Sequence, residues 1–278
     1  MTTPSVAEAP RAPSEEAAAA LSREVSLLGS AAMENTRTWR ATLRNGVERA
    51  RSRAFDAAMA GWTALFAPVI LCLWACGSPP RAVRRATRVW SRGVLTLLKV
   101  VVGLDYREVG RENVPAEPCL IIANHQSAWE TLASLALFPE VAIVAKRELL
   151  RIPVFGWFLS RSPMIVIDRE SGSSAVRKMV AESRAALEQG RSILIFPEGT
   201  RANVGDRIAF KRGVELLYAT LGRPVVPMAL NSGRFWGLGL PYKRPGTIVV
   251  NYLPAIPPGL RPSVFVKQAE EMLELAKG

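Results

Sequence analysis

Six short, apolar, β-branched runs constrain this chain more than any other feature. They are CLIIAN (119–124), VAIVAK (141–146), MIVIDR (164–169), SILIFP (192–197), VVPMAL (225–230) and TIVVNYL (247–253). Runs of this length, apolar almost throughout, read as strands covered on both faces of a sheet. Helical stretches separate several of them. In SSAVRKMVAESRAALEQG (173–190) a serine can cap the start, Val176, Met179, Val180 and Leu187 fall near one face, and Gly190 can close the end. GVELLYATLG (213–222) and the C-terminal VFVKQAEEMLELAKG read the same way. The alternation predicts an α/β fold over 105–278, a layered domain with a largely buried sheet flanked by helices.

Ahead of it lies GWTALFAPVILCLWACG (61–77), an uncharged run shorter than a straight membrane span needs and interrupted by Pro68. Arginines flank it: Arg44, Arg49, Arg51 and Arg53 before, Arg81, Arg84, Arg85, Arg88 and Arg92 after. A second apolar run, GVLTLLKVVVGL (93–104), is broken by Lys99. Positive charge on both sides disfavours a single crossing. The expectation is a membrane-associated helical hairpin over 56–104 that dips into one leaflet, with arginines at the headgroups and Trp62, Trp74 and Trp90 as an aromatic belt. Residues 1–55 read as an extension, poorly ordered or loosely helical, with a weak apolar stripe interrupted at Asn45-Gly46. Its first twenty residues lack the basic-then-apolar order of a secretory signal.

Lysine and arginine total 36 against 24 acids, a net charge of +12. That excess implies an anionic partner. Nucleic acid is not expected, because no nucleic-acid motif accompanies the charge. Cys72, Cys76 and Cys119 read as small buried residues. One histidine and three scattered thiols make no metal cluster, so no metal is expected.

The one histidine, His125, follows the first of the six strands, in NHQSAWET (124–131), with Glu130 five residues on. Five residues along a regular helix turn the side chain about 140° off the starting face. The two can meet if His125 sits in the loop and Glu130 in the first turn of the next helix. A neutral imidazole is a competent base near pH 7, and a carboxylate on Nδ1–H would fix its tautomer. By itself the spacing also fits a structural histidine. Downstream, IFPEGTR (195–201) offers Glu198, Gly199, Thr200 and Arg201 where a strand runs into a turn. Arg169 ends MIVIDR, and FKRG places Lys211 and Arg212 ahead of a helix. Each alone is a basic loop; together, beside a base, they suit a phosphorylated substrate.

Taken together these blocks resemble the glycerolipid acyltransferases, the 1-acyl-sn-glycerol-3-phosphate acyltransferase family. NHQSAWE matches the family's Asn-His-x-Ser-x-x-Asp with Glu130 in place of Asp. Residues 146–169 match the layout of its second block at Lys146, Pro153, Gly156 and Arg169, and Phe-Pro-Glu-Gly-Thr-Arg stands unbroken at 196–201. The resemblance covers about residues 60–253. It implies a membrane-associated enzyme that moves an acyl group from a thioester, acyl-CoA or acyl carrier protein, to the hydroxyl of 1-acylglycerol 3-phosphate, giving phosphatidic acid. His125 would be the base, oriented by Glu130; Arg169, Glu198, Gly199, Thr200, Arg201 and Lys211 would bind substrate, with backbone N–H groups near Gly199 as oxyanion donors. No cofactor beyond the acyl donor is implied. The implied location is the cytoplasmic face of a bacterial inner membrane, with its anionic surface as a partner. The alternatives are another acceptor (glycerol 3-phosphate, another lysophospholipid or a lyso-aminolipid) or a non-catalytic lipid-binding protein. No Gly-x-Ser-x-Gly elbow or Walker loop is present, so neither a seryl acyl-enzyme nor ATP use is expected.

Overall fold

The structure, a computed structural model, describes residues 15–152, 155–162, 164–168, 172–207 and 209–277. The chain divides into two compact units, with the boundary between Val47 and Glu48. In the first, helix α1 (Glu15–Leu65) is under way. The hydroxyls of Thr38 and Thr42 there donate back to the carbonyls of Glu34 and Thr38. The helix passes through Asn45-Gly46 without a break, against the expected interruption. A single glycine costs a helix only about 1 kcal/mol relative to alanine.

The second unit holds the layered domain. It runs through the end of α1, α2 (Ala67–Ala75), α3 (Pro80–Leu97), β1 (Leu104–Val109), β2 (Leu120–Ala123), α4 (Trp129–Leu137), β3 (Val141–Lys146) and α5 (Phe155–Arg161). Then follow β4 (Ile165–Ile167), α6 (Gly172–Glu188), β5 (Ser192–Ile195), α7 (Arg212–Leu221), β6 (Val225–Leu230), the one-turn α8 (Gly233–Trp236), β7 (Gly246–Tyr252) and α9 (Pro262–Ala276). The seven strands lie in the order β1-β7-β6-β2-β5-β3-β4. All neighbours are parallel except β6 and β7.

Each of the six predicted runs is a strand, and alternate residues serve opposite layers. In β2, Ile121 and Ala123 face one apolar cluster, with Trp90 and Val94 of α3 and Phe158 of α5. Leu120 and Ile122 face the other, with Met179 of α6, Leu217 of α7 and Phe265 of α9. The sheet is therefore covered on both faces, which is why these runs lack polar alternation. β1 was not foreseen. It is an edge strand with Arg107, Glu108 and Val109 exposed, so it lacks the apolar signature of the inner strands.

The N-terminal helices differ from the expected hairpin. α3 turns Val83, Thr87, Trp90, Ser91, Val94 and Leu95 inward, and Leu98 and Val102 of the following π turn are also buried. Its apolar face thus belongs to the protein core rather than to a leaflet. Trp90 is 6% exposed, and the Trp62 indole N–H donates to its carbonyl at 2.9 Å, so of the three expected belt tryptophans only Trp74 is freely exposed. α2 buries no residue fully. Leu71 and Trp74 are 65 and 66% exposed there, as is Leu65 just before it at 70%, and Cys72 and Cys76 are exposed as well, contrary to their expected burial; of the three cysteines only Cys119 is buried. Pro68 sits in the first turn of α2, where its missing N–H breaks no helical bond. Arg37–Ala75 is long and apolar enough to cross a membrane, with mean hydropathy 1.8 over its most apolar window.

Candidate active site at the ends of three parallel strands

β6, β2 and β5 are adjacent and parallel, so the loops leaving their C-terminal ends share one edge of the sheet, where α/β folds place their ligands. From β2 comes 124–128, from β5 comes 196–211, and from β6 comes 231–232. Asn124 ties the first to the third: its amide donates to the Leu230 carbonyl at 2.8 Å and accepts the Leu230 N–H at 2.7 Å.

His125 is clamped through its main chain by the loop after β5. Its N–H donates to Glu198 Oε2 at 3.2 Å, and its carbonyl accepts the Ala202 N–H at 2.8 Å. Its ring stacks on Phe196, centroids 4.2 Å apart. The side chain keeps 16% of its surface open.

Glu130 is wholly enclosed. Its carboxylate accepts the N–H of Gln126 at 3.1 Å, the N–H and hydroxyl of Ser127 at 3.0 Å, and the hydroxyl of Ser232. The Ser127 hydroxyl in turn accepts the Trp129 N–H. The Glu130 half of this pattern is that of a capping box, Glu to the Ser127 N–H across Ser-x-x-Glu, while the Ser127 hydroxyl takes the N–H two residues on instead of that of Glu130. His125 Nδ1 lies 3.5 Å from Glu130 Oε2. That is within ion-pair range, but Nδ1 makes no hydrogen bond of good geometry. The two atoms are within reach of each other without a formed hydrogen bond; bonds of this kind commonly tighten only when substrate binds.

The remaining expected site residues fall into three groups. Glu198 is 7% exposed and turned to the His125 main chain, and burial pushes its carboxyl up to about 7 against the pull of that N–H. Gly199, at φ +73°, closes a turn in which its N–H donates to the Phe196 carbonyl. Thr200, Arg201 and Lys211 are exposed. Main-chain bonds set two of them in the loops around His125: Arg201 precedes Ala202, whose N–H bonds the His125 carbonyl, and the Lys211 N–H bonds the Pro197 carbonyl. Arg169 and Pro153 lie outside the described residues. Gly156 is required where it stands, since a Cβ there would meet the Leu150 carbonyl oxygen at 2.1 Å.

Sequence reasoning missed Gln126, Ser127 and Ser232. Ser127 was legible from the Ser-x-x-Glu spacing, and Gln126 carried no such signal. Ser232 carried no local signal, because its contact depends on β6 lying beside β2.

Residues 106–231, which contain all three loops up to Asn231, match the family described as Acyltransferase. The likeness to acyltransferases therefore lies in the segment that carries the site. The chain is 41% identical over 167 residues to the 1-acyl-sn-glycerol-3-phosphate acyltransferase of Pseudomonas aeruginosa, covering 60% of this chain and 65% of that one. It is 32% identical over 144 residues to the human 1-acyl-sn-glycerol-3-phosphate acyltransferase beta, covering 51% and 52%. The matches thus span roughly half to two thirds of these curated acyltransferases. The crystal structure of the 1-acyl-sn-glycerophosphate (LPA) acyltransferase PlsC from Thermotoga maritima shares the fold, at TM-score 0.66 and 21% identity over 83% of this chain and 98% of that one.

Proposed function

We propose that this protein is a membrane-associated O-acyltransferase that moves a fatty acyl group from a thioester to the free hydroxyl of 1-acylglycerol 3-phosphate, giving phosphatidic acid for phospholipid synthesis. The observation that carries the reading is the setting of His125: a partly open imidazole, clamped at both main-chain groups, with a buried carboxylate 3.5 Å from Nδ1. His125 takes the proton of the acceptor hydroxyl as its oxygen attacks the thioester carbonyl. The C–S bond then breaks, and His125 returns the proton to the leaving thiolate. A positioned base of this kind contributes about 10² to 10⁴-fold. Glu130 orients the ring and stabilises the imidazolium.

Exposed Arg201 and Lys211, with Arg169, bind the acceptor phosphate, and Thr200 stands beside them as a hydroxyl donor. Glu198 acts on the base by holding the His125 N–H. The exposed apolar surface of α2 and the arginines around it hold the enzyme to the cytoplasmic face of an anionic bilayer, where lysophospholipid and acyl donor are both found. Acyl-CoA and acyl carrier protein both fit as donor.

The test is acceptor competition with detergent-solubilised protein, offering labelled thioester together with lysophosphatidic acid, glycerol 3-phosphate and other lyso-lipids. Preferential labelling of phosphatidic acid supports the reading. Labelling of a different lipid moves the acceptor assignment, and binding of lipid with no acyl transfer from either donor overturns it.

A further inference from the structure

Among the described residues the carboxylate of Glu130 accepts five hydrogen bonds, four of them local. Oε2 receives the Ser127 N–H and hydroxyl; Oε1 receives the N–H groups of Gln126 and Ser127. These donors belong to the same turn as Glu130 and move with it. The fifth bond, from the Ser232 hydroxyl to Oε1, comes from the far side of the site, 102 residues downstream. Ser232 is 0% exposed, and its hydroxyl does not cap α8. The segment that carries it is pinned to the His125 loop twice more: the Gly233 N–H donates to Gln126 Oε1 at 3.1 Å, and Gly237 bridges to Ser127. A Cβ on Gly233 would come within 2.9 Å of the Gln126 Cβ, so this approach is as close as backbone allows. Glu130 is one methylene longer than the aspartate of the pattern it resembles. An aspartate would draw the carboxylate back toward α4 and away from Ser232.

We propose that Ser232 is a positioning residue, anchoring the Glu130 carboxylate to the end of β6 so that it stays directed at His125 Nδ1. This rests on His125 being the base of the proposed acyl transfer. Ser232 touches no reacting atom and acts through Glu130. Without its hydroxyl the carboxylate keeps its local donors but loses its tie to the sheet, and the imidazole loses its fixed tautomer.

The chain's single histidine makes the test direct, because nitrogen-15 NMR of labelled histidine in detergent gives one imidazole with no assignment problem. The wild type is expected to hold the Nδ1–H tautomer, and Ser232→Ala to shift toward a mixture with Nε2–H. In turnover, Ser232→Ala should lower kcat about tenfold with the acceptor KM unchanged, the scale of losing one hydrogen bond to a charged group. In a Glu130→Gln background the same change should cost less than about twofold, because partners in one network are not additive. Should Ser232→Ala fail to fold, Ser232→Cys keeps the volume with a weaker donor and should fall between the two. An unchanged tautomer overturns the proposal, as does a Ser232→Ala cost as large in Glu130→Gln as in wild type. If wild-type protein transfers no acyl group, the functional reading fails while the NMR comparison still decides the role of Ser232.

Discussion

Two regions of this molecule invert the ordinary rule of apolar inside and polar outside, in opposite directions. At the ends of β2, β5 and β6, Asn124, Gln126, Ser127, Glu130, Glu198 and Ser232 are all buried. On α2, Leu71 and Trp74 stand in the open and no residue is fully buried. The buried polar groups are stable there because each finds donors or acceptors, which removes most of the cost of taking them from water. Leu71 and Trp74 have no cover among the described residues, and exposed apolar surface of this kind marks an interaction. In the proposed function, one inversion holds a base still and the other holds the molecule at the bilayer.

The largest expected effect separates the two. Replacing Leu71 and Trp74 together by Asp should reduce binding to anionic vesicles by at least about a hundredfold, since each large apolar side chain is worth about 1.5–3 kcal/mol when removed from water. Thermal stability in detergent should barely change, because neither side chain packs in the core. Flotation and a melting curve read both. In the same assay, Cys72 and Cys76 should react quickly with a maleimide in solution and slowly on vesicles. Cys119 should stay inert in both, since burial encloses it and pushes its thiol up.

Next comes the hold on the His125 main chain. Glu198→Ala should lower kcat about tenfold, the scale of one charge-assisted hydrogen bond. Glu198→Gln, which keeps an acceptor for the N–H, should restore most of it. Were the carboxylate a ligand for substrate, Gln would instead raise KM as Ala does.

A pH effect follows at the same residue. The folded-state value of Glu198 is raised to about 7 by burial, above the unfolded value of 4.5, against the pull of the His125 N–H and Lys277 and reinforced by Glu130 and Glu274. Between those values the folded state binds the extra proton, so this group's contribution to stability is present at low pH and is lost as pH rises toward 7. Denaturation from pH 5 to 7 should show wild type losing stability relative to Glu198→Gln, by at most about 1.4 kcal/mol per pH unit. Smallest is Lys178→Ala. It breaks the exposed Lys178–Glu182 pair at 3.7 Å, far from both regions, and should cost no more than about 0.5 kcal/mol by the same denaturation.

Six strands, the five inner ones and the edge strand β4, were legible because their residues are almost all apolar, which writes itself into composition. β1 was not, because an edge strand bearing Arg107 and Glu108 reads like a loop. α3 was misread in the other direction: Val94, Leu95 and Leu98 are as apolar as a lipid-facing helix, and sequence does not say whether a sheet or a bilayer covers them. At the site, His125 and the loop at 196–201 were visible as motifs. What the motif did not spell out is the bond from the His125 N–H to Glu198 and the turn bond of the Gly199 N–H to Phe196. Ser232 was invisible, since strand order alone brings it to Glu130.

The central claim is that His125 is the base of an acyl transfer to lysophosphatidic acid. Labelled acyl-CoA and acyl carrier protein, offered with that acceptor to wild type and to folded His125→Ala, test it most directly. The account expects phosphatidic acid from wild type and at least about a hundredfold less from the variant. Equal rates in the two would contradict it.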